Sequence, residues 1–98
     1  MIPVLGKLVD AQKMHRENPD TFEVPSDHDL AAIKPGDYVK ICREGERFWC
    51  RIEGASGKYL IGLVDVPLVN SGNADINRPD MHVRFEHRHV YQVMSPPS

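Results

Sequence analysis

The sequence predicts an α+β fold in which N-terminal helical segments precede a strongly curved antiparallel sheet of four or five strands. Before residue 36 the apolar residues recur at nearly helical spacing, whereas after it they alternate with polar residues. Short turn-forming stretches separate the alternating segments, as antiparallel neighbours require. Such a sheet hides its edges best by curling, so we expect a small, partly open barrel.

A chain of 98 residues has the length of one domain with a modest core. We assign residues 1–35 to a helical N-terminal part, residues 36–94 to the antiparallel sheet and residues 95–98 to a tail.

Two helices are predicted in the N-terminal part. Apolar residues between Val4 and Glu17 have helical spacing, and the proline at position 19 ends this helix because it disfavours helical geometry at the residue before it. Ser26 is a good cap for a second, short helix. Asp27 and Asp29 fall in its first turn, where negative charge suits the helix dipole.

A β-hairpin follows, with strands at 38–43 and 47–53. A two-residue turn at Gly45-Glu46 pairs Glu44 with Arg47. This register aligns the apolar residues of the two strands, Ile41 beside Cys50 and Val39 beside Ile52. Cys42 and Trp49 then share the other face. The two cysteines lie on opposite faces and are expected to remain free thiols.

The remaining chain predicts a third strand at 58–66, a polar loop at 70–80, and either one long strand or two short ones at 81–94. Gly62 is expected to mark a bulge or bend in the third strand. The loop is long for a small domain, which is typical of a functional or mobile segment. The expected core consists of Val39, Ile41, Phe48, Ile52, Ile61, Leu63, Val83 and Phe85.

The net charge and the lengths of the apolar runs argue against some classes of function. A net charge of −2 argues against a general phosphate-binding surface, which needs a basic excess. No apolar run reaches the roughly 20 residues that span a bilayer, and the first eight residues are too short and weakly apolar for a signal peptide. The sequence therefore predicts a cytoplasmic protein without a membrane partner.

His87 and His89 are the candidate metal ligands, because an unbroken strand would place both imidazoles on one face. Further ligands would have to come from His82, Asp80, His28 or Cys42, and none has a recognised spacing from the pair. The alternative is a turn at 86–88 that splits the strand and exposes both histidines, as a solvated or hydrogen-bonded pair that titrates in the ordinary range. We expect this second arrangement, with no metal and no cofactor.

Trp49 is the chain's one tryptophan and the candidate centre of a binding surface. The hairpin places four polar or basic residues around it: Tyr38, Lys40, Arg47 and Arg51. Aromatic and arginine side chains are the usual anchors of protein interfaces. The loop adds a second set of candidate binding residues: Asn70, Asn73, Asp75 and Asn77. The alternative role for Trp49 is structural, as a plug at one end of the barrel.

The region from Asn18 to Val93 resembles the YegJ-like bacterial family of unknown function. Four stretches carry the resemblance: KPGDYVKI at 34–41, GERFWCRI at 45–52, GLVDVP at 62–67 and RPDMHVRFEHRHVYQV at 78–93. The positions that fit are Gly36-Asp37, Val39-Lys40, Glu46, Trp49, Gly62 and Pro67. This chain differs at Asp65, where the family has asparagine, and at Pro79-Asp80, where Gly-Asp is common. The resemblance implies a small β-barrel-like domain and no reaction.

Three hypotheses for the function follow. The first is a non-catalytic protein-binding module, such as a small inhibitor or adaptor of bacterial or phage origin. The second is a metal-binding protein or hydrolytic enzyme that uses His87 and His89. The third is a single-stranded nucleic-acid binder that uses the Trp49 hairpin. The sequence holds no nucleophile motif and no phosphate-binding glycine loop, so we favour the first.

Overall fold

A computed structural model describes residues 1–96 and shows an α+β fold with a five-stranded antiparallel sheet. The helices are α1 (Ala11–Glu17) and α2 (Asp27–Ala31); the strands are β1 (Tyr38–Arg43), β2 (Glu46–Ser56), β3 (Tyr59–Val64), β4 (His82–Phe85) and β5 (Gln92–Met94). Short 3₁₀ turns occur at Ser71–Asn73 and His87–His89. The strand order is β4-β3-β2-β1-β5. The α+β class is therefore confirmed, while the last two residues of the predicted tail lie outside the described part.

The β1–β2 hairpin differs from the predicted register by two residues. Its turn is Glu44-Gly45, and Arg43 pairs with Glu46. Glu44 and Gly45 both have positive φ, 54° and 76°, which the tight hairpin turn of type I′ requires. Ile41 consequently pairs with Phe48, and Val39 pairs with Cys50. Because a shift of two preserves the alternation of a strand, each side chain still faces the predicted side.

The inner face of the sheet carries the main core. Six of the eight expected core residues are buried: Val39, Ile41, Phe48, Ile52, Val83 and Phe85. Ile61 and Leu63 are half-exposed instead, so the prediction for these two is wrong. On β3 the inward positions belong to Leu60, Gly62 and Val64.

Gly62 faces inward because no side chain fits there. A Cβ atom at this position would lie 3.0 Å from both Cys50 Cβ and Phe85 Cε1. The bulge that we expected at Gly62 lies in the opposite strand, where the β2–β3 register shifts between Ile52 and Gly54. The glycine therefore makes room for the Phe85 ring, and β2 absorbs the extra residue.

The first helix begins at Ala11, and not at Val4 as predicted. Residues 3–9 form an extended arm: Leu5 N donates to Arg84 O of β4 at 2.9 Å, and Val9 N donates to Cys42 O of β1 at 3.0 Å. Lys7 has a positive φ of 63°, which an α-helix does not allow. Asp10 caps the helix through Lys13 N. The apolar residues before it meet the sheet edges instead of forming a helical stripe.

The sheet is more open and less strongly curved than predicted. Within residues 1–96, no ladder joins the edge strands β4 and β5. The arm lies between β4 and the end of β1 and satisfies backbone groups of both. The arm therefore covers backbone groups of β4 and β1 that would otherwise be left unpaired unless the sheet closed into a barrel.

The two helices pack on opposite faces of the sheet, α2 on the inner face and α1 on a small part of the outer face. Leu30 of α2 and the nearby Ile33 pack on the main core, and Ser26 Oγ accepts from Asp29 N as the predicted cap. On the outer face, Ala11 and Tyr91 form a second small cluster around Cys42. In the described part of the chain, no helix is long and apolar enough to cross a bilayer.

Candidate functional site

The outer face of the sheet is left open beyond the small cluster around Cys42. Here the strand registers set Tyr38 opposite Arg51, Lys40 opposite Trp49, and Arg51 opposite Leu63. We call these five residues the Trp49 face. None of the five is buried, whereas the residues that alternate with them along the strands are buried in the core. The hairpin thus brings together four of the predicted binding residues, and β3 adds the apolar Leu63.

Cations on this side of the sheet lie over aromatic rings. Lys40 Nζ is 4.8 Å from the Trp49 ring centroid, and the Arg47 guanidinium is 4.8 Å from the Tyr91 centroid. Such stacking orients a cation without neutralising it. Arg47 is the fifth predicted residue of the hairpin, and it sits beside the Trp49 face, next to the cluster around Cys42.

A groove of about 800 Å³ adjoins the Trp49 face. We call it the N-terminal groove: one wall is formed by the link at 20–25 together with α2, and the floor by Lys40, Arg47 and residues 91–93. Lys40 belongs to both the groove and the Trp49 face. No sequence pattern predicted this groove, because nothing in the link indicates that it runs alongside the sheet.

The groove separates negative charge on its wall from positive charge on its floor. Asp20, Glu23 and Asp29 line the wall and are exposed. Lys40 and Arg47 lie on the floor, and across residues 1–96 none of these five side chains forms an ion pair. The groove therefore offers unneutralised charges of both signs.

The four side chains of the 70–80 loop that were predicted to bind a partner form hydrogen bonds within the protein itself. Asn70 Nδ2 donates to Glu44 O, Asn77 donates to Leu68 O at 3.2 Å, and the fully buried Asn73 donates to Arg43 O at 3.0 Å. Glu46 accepts from the backbone N–H groups of Val69 and Asn70, at 2.8 and 3.0 Å. These bonds hold the pKa of the Glu46 carboxyl below its usual value. The loop is thereby tied to the hairpin turn.

Arg43 is a buried anchor of this loop. Its guanidinium makes a two-pronged ion pair with Asp75, at 2.8 and 3.0 Å, and also donates to Asn73 Oδ1 and Gly6 O. This role of Arg43 was missed from the sequence. The alternation of β1 was the available signal, since it places Arg43 on the same face as Val39 and Ile41, where a charge needs partners.

The two C-terminal histidines do not share a face. The predicted strand splits into β4 and β5 around the turn at His87–His89, as one of our alternatives had it. His87 is exposed, but His89 is 7% exposed, so the expectation that the turn exposes both histidines is wrong for His89. Glu86 N donates to His89 Nδ1 at 3.1 Å, and this bond draws the ring inward.

Burial lowers the pKa of His89, and the positive charge of Arg88 adds to the effect. The expectation of an ordinary titration is therefore wrong for this residue. Arg88 itself pairs with Asp10 and Glu86 at 2.9 and 3.1 Å, which links the turn to the start of α1. These two carboxylates and Arg88 are the charged groups that influence the ring.

We expect the stability of the protein to fall as the pH drops below about 6.5, the ordinary value for histidine. The unfolded chain takes up a proton at His89 in this range, whereas the folded chain resists it, so protonation favours unfolding. The stabilisation is fully present above pH 6.5. Urea midpoints between pH 7.5 and 5.5 measure the effect, and His89→Gln should reduce the slope. An unchanged slope in this variant would assign the pH dependence to other groups.

The described residues show neither a metal-binding group nor a reactive thiol. Within residues 1–96, no three His, Cys, Asp or Glu side chains come together to hold a metal ion. Both cysteines are free, as predicted, and burial raises the pKa of Cys42 and raises that of Cys50 to about 12. A thiol with a raised pKa is a poor nucleophile near neutral pH.

The site as a whole consists of an open aromatic and basic sheet face beside a groove of mixed charge. Sequence reasoning found the hairpin residues and missed the wall of the groove. Comparison of the chain with protein-family models, curated proteins and solved structures found no match in any of the three.

Proposed function

We propose that this chain is a non-catalytic module that binds another protein through the Trp49 face. The observation that supports this most directly is that Trp49 is only half-buried and lies on the outer sheet face beyond the small cluster that Ala11 of α1 forms around Cys42. Trp49 is therefore a better candidate for an interface anchor than for the plug of a closed core. Tryptophan, tyrosine and arginine are the residues that contribute most at protein interfaces, and all three occur within this face.

The surroundings of Trp49 suit a protein partner. Leu63 extends the apolar area, and a shallow hollow of about 100 Å³ lies between Tyr38, Arg51 and Leu63. Charged groups at the margin include Lys40, while Arg51 pairs with Glu53 at 2.9 Å. An apolar centre with a polar rim is the usual composition of a protein interface.

A single nucleic-acid strand fits this surface less well. Aromatic rings and cations are present, but Asp20, Glu23 and Asp29 stand unneutralised beside the same face. These carboxylates would repel successive phosphates, whose neutralisation supplies most of the affinity for nucleic acids. The histidine-based enzyme has no comparable support, because His87 and His89 face different environments.

Two further expectations belong to this proposal. We also propose that the chain is a member of the YegJ-like family; the four stretches that resemble this family fall mainly on β1, β2, β3 and β4–β5. The description as a partly open barrel is supported by the N-terminal arm, which hydrogen-bonds to both β4 and β1. An inhibitor or adaptor of bacterial or phage origin is the form of module that we propose.

Trp49→Ala should weaken binding of the partner by about 2–4 kcal/mol, the range for a central interface residue. The partner is first captured from host extract on immobilised wild-type protein and identified by mass spectrometry. Its affinity for each variant is then measured by calorimetry with the purified proteins.

Tyr59→Ala is the matched control for Trp49→Ala. Tyr59 is also half-buried on the sheet and lies under cations, with Lys58 and Arg84 at 5.4 and 5.3 Å from its ring, but it is outside the Trp49 face. We expect this variant to keep full affinity. Circular dichroism of both variants checks the fold. Folded Trp49→Ala protein that binds as tightly as wild type would refute the proposal.

A further inference from the structure

The N-terminal groove has a chemistry of its own, which the Trp49 face does not explain. Its wall carries Asp20, Glu23 and Asp29, and its floor carries Lys40 and Arg47. The remaining charged pair of the groove, Lys34 and Asp37, is self-neutralised at 3.4 Å. Five unneutralised charges of both signs therefore face one open volume.

We infer that the N-terminal groove holds an extended peptide segment of the partner, one that carries both acidic and basic side chains. The carboxylates of this segment meet Lys40 and Arg47, and its cations meet the acidic wall. The inference rests on the proposed function, since it specifies which part of the partner lies beside the Trp49 face. Lys40 lines the groove and stacks on Trp49, so the two surfaces are continuous.

The shape and the charges of the groove select this ligand. A volume of about 800 Å³ is within the range of pockets that hold drug-sized ligands, which a short peptide segment matches. A purely acidic peptide or a nucleic-acid strand would be attracted to the floor and repelled by the wall. A purely basic peptide would meet the opposite conflict. Only a segment with both charges neutralises both sides.

Arg47, on the floor of the N-terminal groove, is held in place before a peptide binds. Arg47 is held over Tyr91 at 4.8 Å and near Phe22 at 5.9 Å from the ring centroids, so little side-chain freedom is lost when it pairs with a carboxylate. A guanidinium that stacks on a ring keeps its N–H donors free at the edge. Pre-ordered groups of this kind lower the entropic cost of binding.

The test uses a random heptapeptide library displayed on phage and selected against the full chain. We expect the enriched peptides to carry at least one carboxylate and one cation each. The affinity of an enriched peptide, measured by fluorescence anisotropy, should fall about two- to fivefold in Asp29→Asn and similarly in Arg47→Gln, as for exposed ion pairs. Raising the salt concentration should weaken the wild-type affinity and have less effect on the affinity of the variant that combines Asp29→Asn with Arg47→Gln.

Two matched controls should leave the affinity of the enriched peptide unchanged. Asp27→Asn removes a carboxylate from the same first turn of α2, but outside the groove. Lys58→Gln removes a lysine that lies over an aromatic ring, as Lys40 does, but also outside the groove. Asp29→Asn keeps the test valid even if Arg47→Gln destabilises the cluster around Tyr91.

The inference is overturned if the enriched peptides carry one sign of charge only, if a ten-residue oligothymidylate competes as well as the peptide, or if the groove variants bind like wild type. Trp49→Ala separates this failure from that of the proposed function. Loss of the partner in Trp49→Ala with no effect of Asp29→Asn upholds the Trp49 face and rejects the groove. Loss of peptide affinity in Asp29→Asn, with full partner affinity in Trp49→Ala, upholds the groove and rejects the face.

Discussion

Phe85→Ala should lower the free energy of unfolding by about 3–5 kcal/mol, the range for deleting a buried aromatic ring. Phe85 is 0% exposed and is the largest fully buried side chain of the core. Its ring fills the space that Gly62 leaves, since a Cβ atom there would lie 3.0 Å from the ring. With neither a ring at 85 nor a side chain at 62, the cavity cannot be filled from β3.

Urea unfolding followed by circular dichroism measures this loss, and Phe22→Ala provides the comparison. Phe22 is half-buried in the small cluster on the outer face, so its removal leaves a hole that water can enter and should cost less. Because small domains are stable by only about 5–15 kcal/mol, Phe85→Ala should come close to unfolding the chain. Equal losses in the two variants would contradict the assignment of the main core to the inner face.

Alternation along the strands predicted most of the core and failed where a glycine stood in it. Residues 39, 41, 48 and 52 were assigned correctly although the hairpin register was wrong by two, since only the parity of the register decides the face. On β3 we treated Gly62 as a bend and placed its neighbours Ile61 and Leu63 inside. Gly62 is itself the inward-facing residue. Because it has no side chain, the apolar alternation along β3 could not be recognised from the sequence.

The turn and the arm show why local patterns were insufficient. The observed two-residue turn places Glu44 at a positive φ, where glutamate is rare. The sequence pattern therefore pointed to Gly45 as the first turn residue, and the predicted turn was one residue too late. The apolar spacing of residues 4–9 fits a helix as well as it fits an edge-covering arm. Contacts with β4 and β1, which are distant in sequence, decide between the two.

The candidate site could be predicted only in the part that one hairpin encodes. Cross-strand neighbours on β1 and β2 follow from alternation, so Tyr38, Lys40, Trp49 and Arg51 could be grouped from the sequence. The acidic wall of the N-terminal groove comes from a link without periodic structure, about 20 residues earlier in the chain. Its position depends on how α1 and Phe22 pack around Cys42, and no local signal specifies that packing.

Asp75→Ala should lower the free energy of unfolding by about 2–3 kcal/mol, which is unusual for a residue whose side chain is 61% exposed. The reason lies in its partner: the Arg43 side chain is only 10% exposed, and without the carboxylate a largely buried cation keeps only Asn73 Oδ1 and Gly6 O as acceptors. Removing one member of a buried pair costs more than removing an exposed ion pair.

Glu53→Ala is the control for Asp75→Ala, because it breaks the Arg51–Glu53 pair, in which both side chains are substantially exposed. It should lower the free energy of unfolding by less than about 1 kcal/mol.

The double variant Arg43→Met with Asp75→Ala should be more stable than Asp75→Ala alone, since it removes the buried positive charge that has lost its partner. Amide hydrogen exchange in the 70–80 loop should accelerate in Asp75→Ala and not in Glu53→Ala, because Asp75 and Asn73 tie this loop to the hairpin through Arg43. If Asp75→Ala and Glu53→Ala had equal stability and equal exchange rates, water would be hydrating the unpaired Arg43 guanidinium, and the asparagines alone would hold the loop.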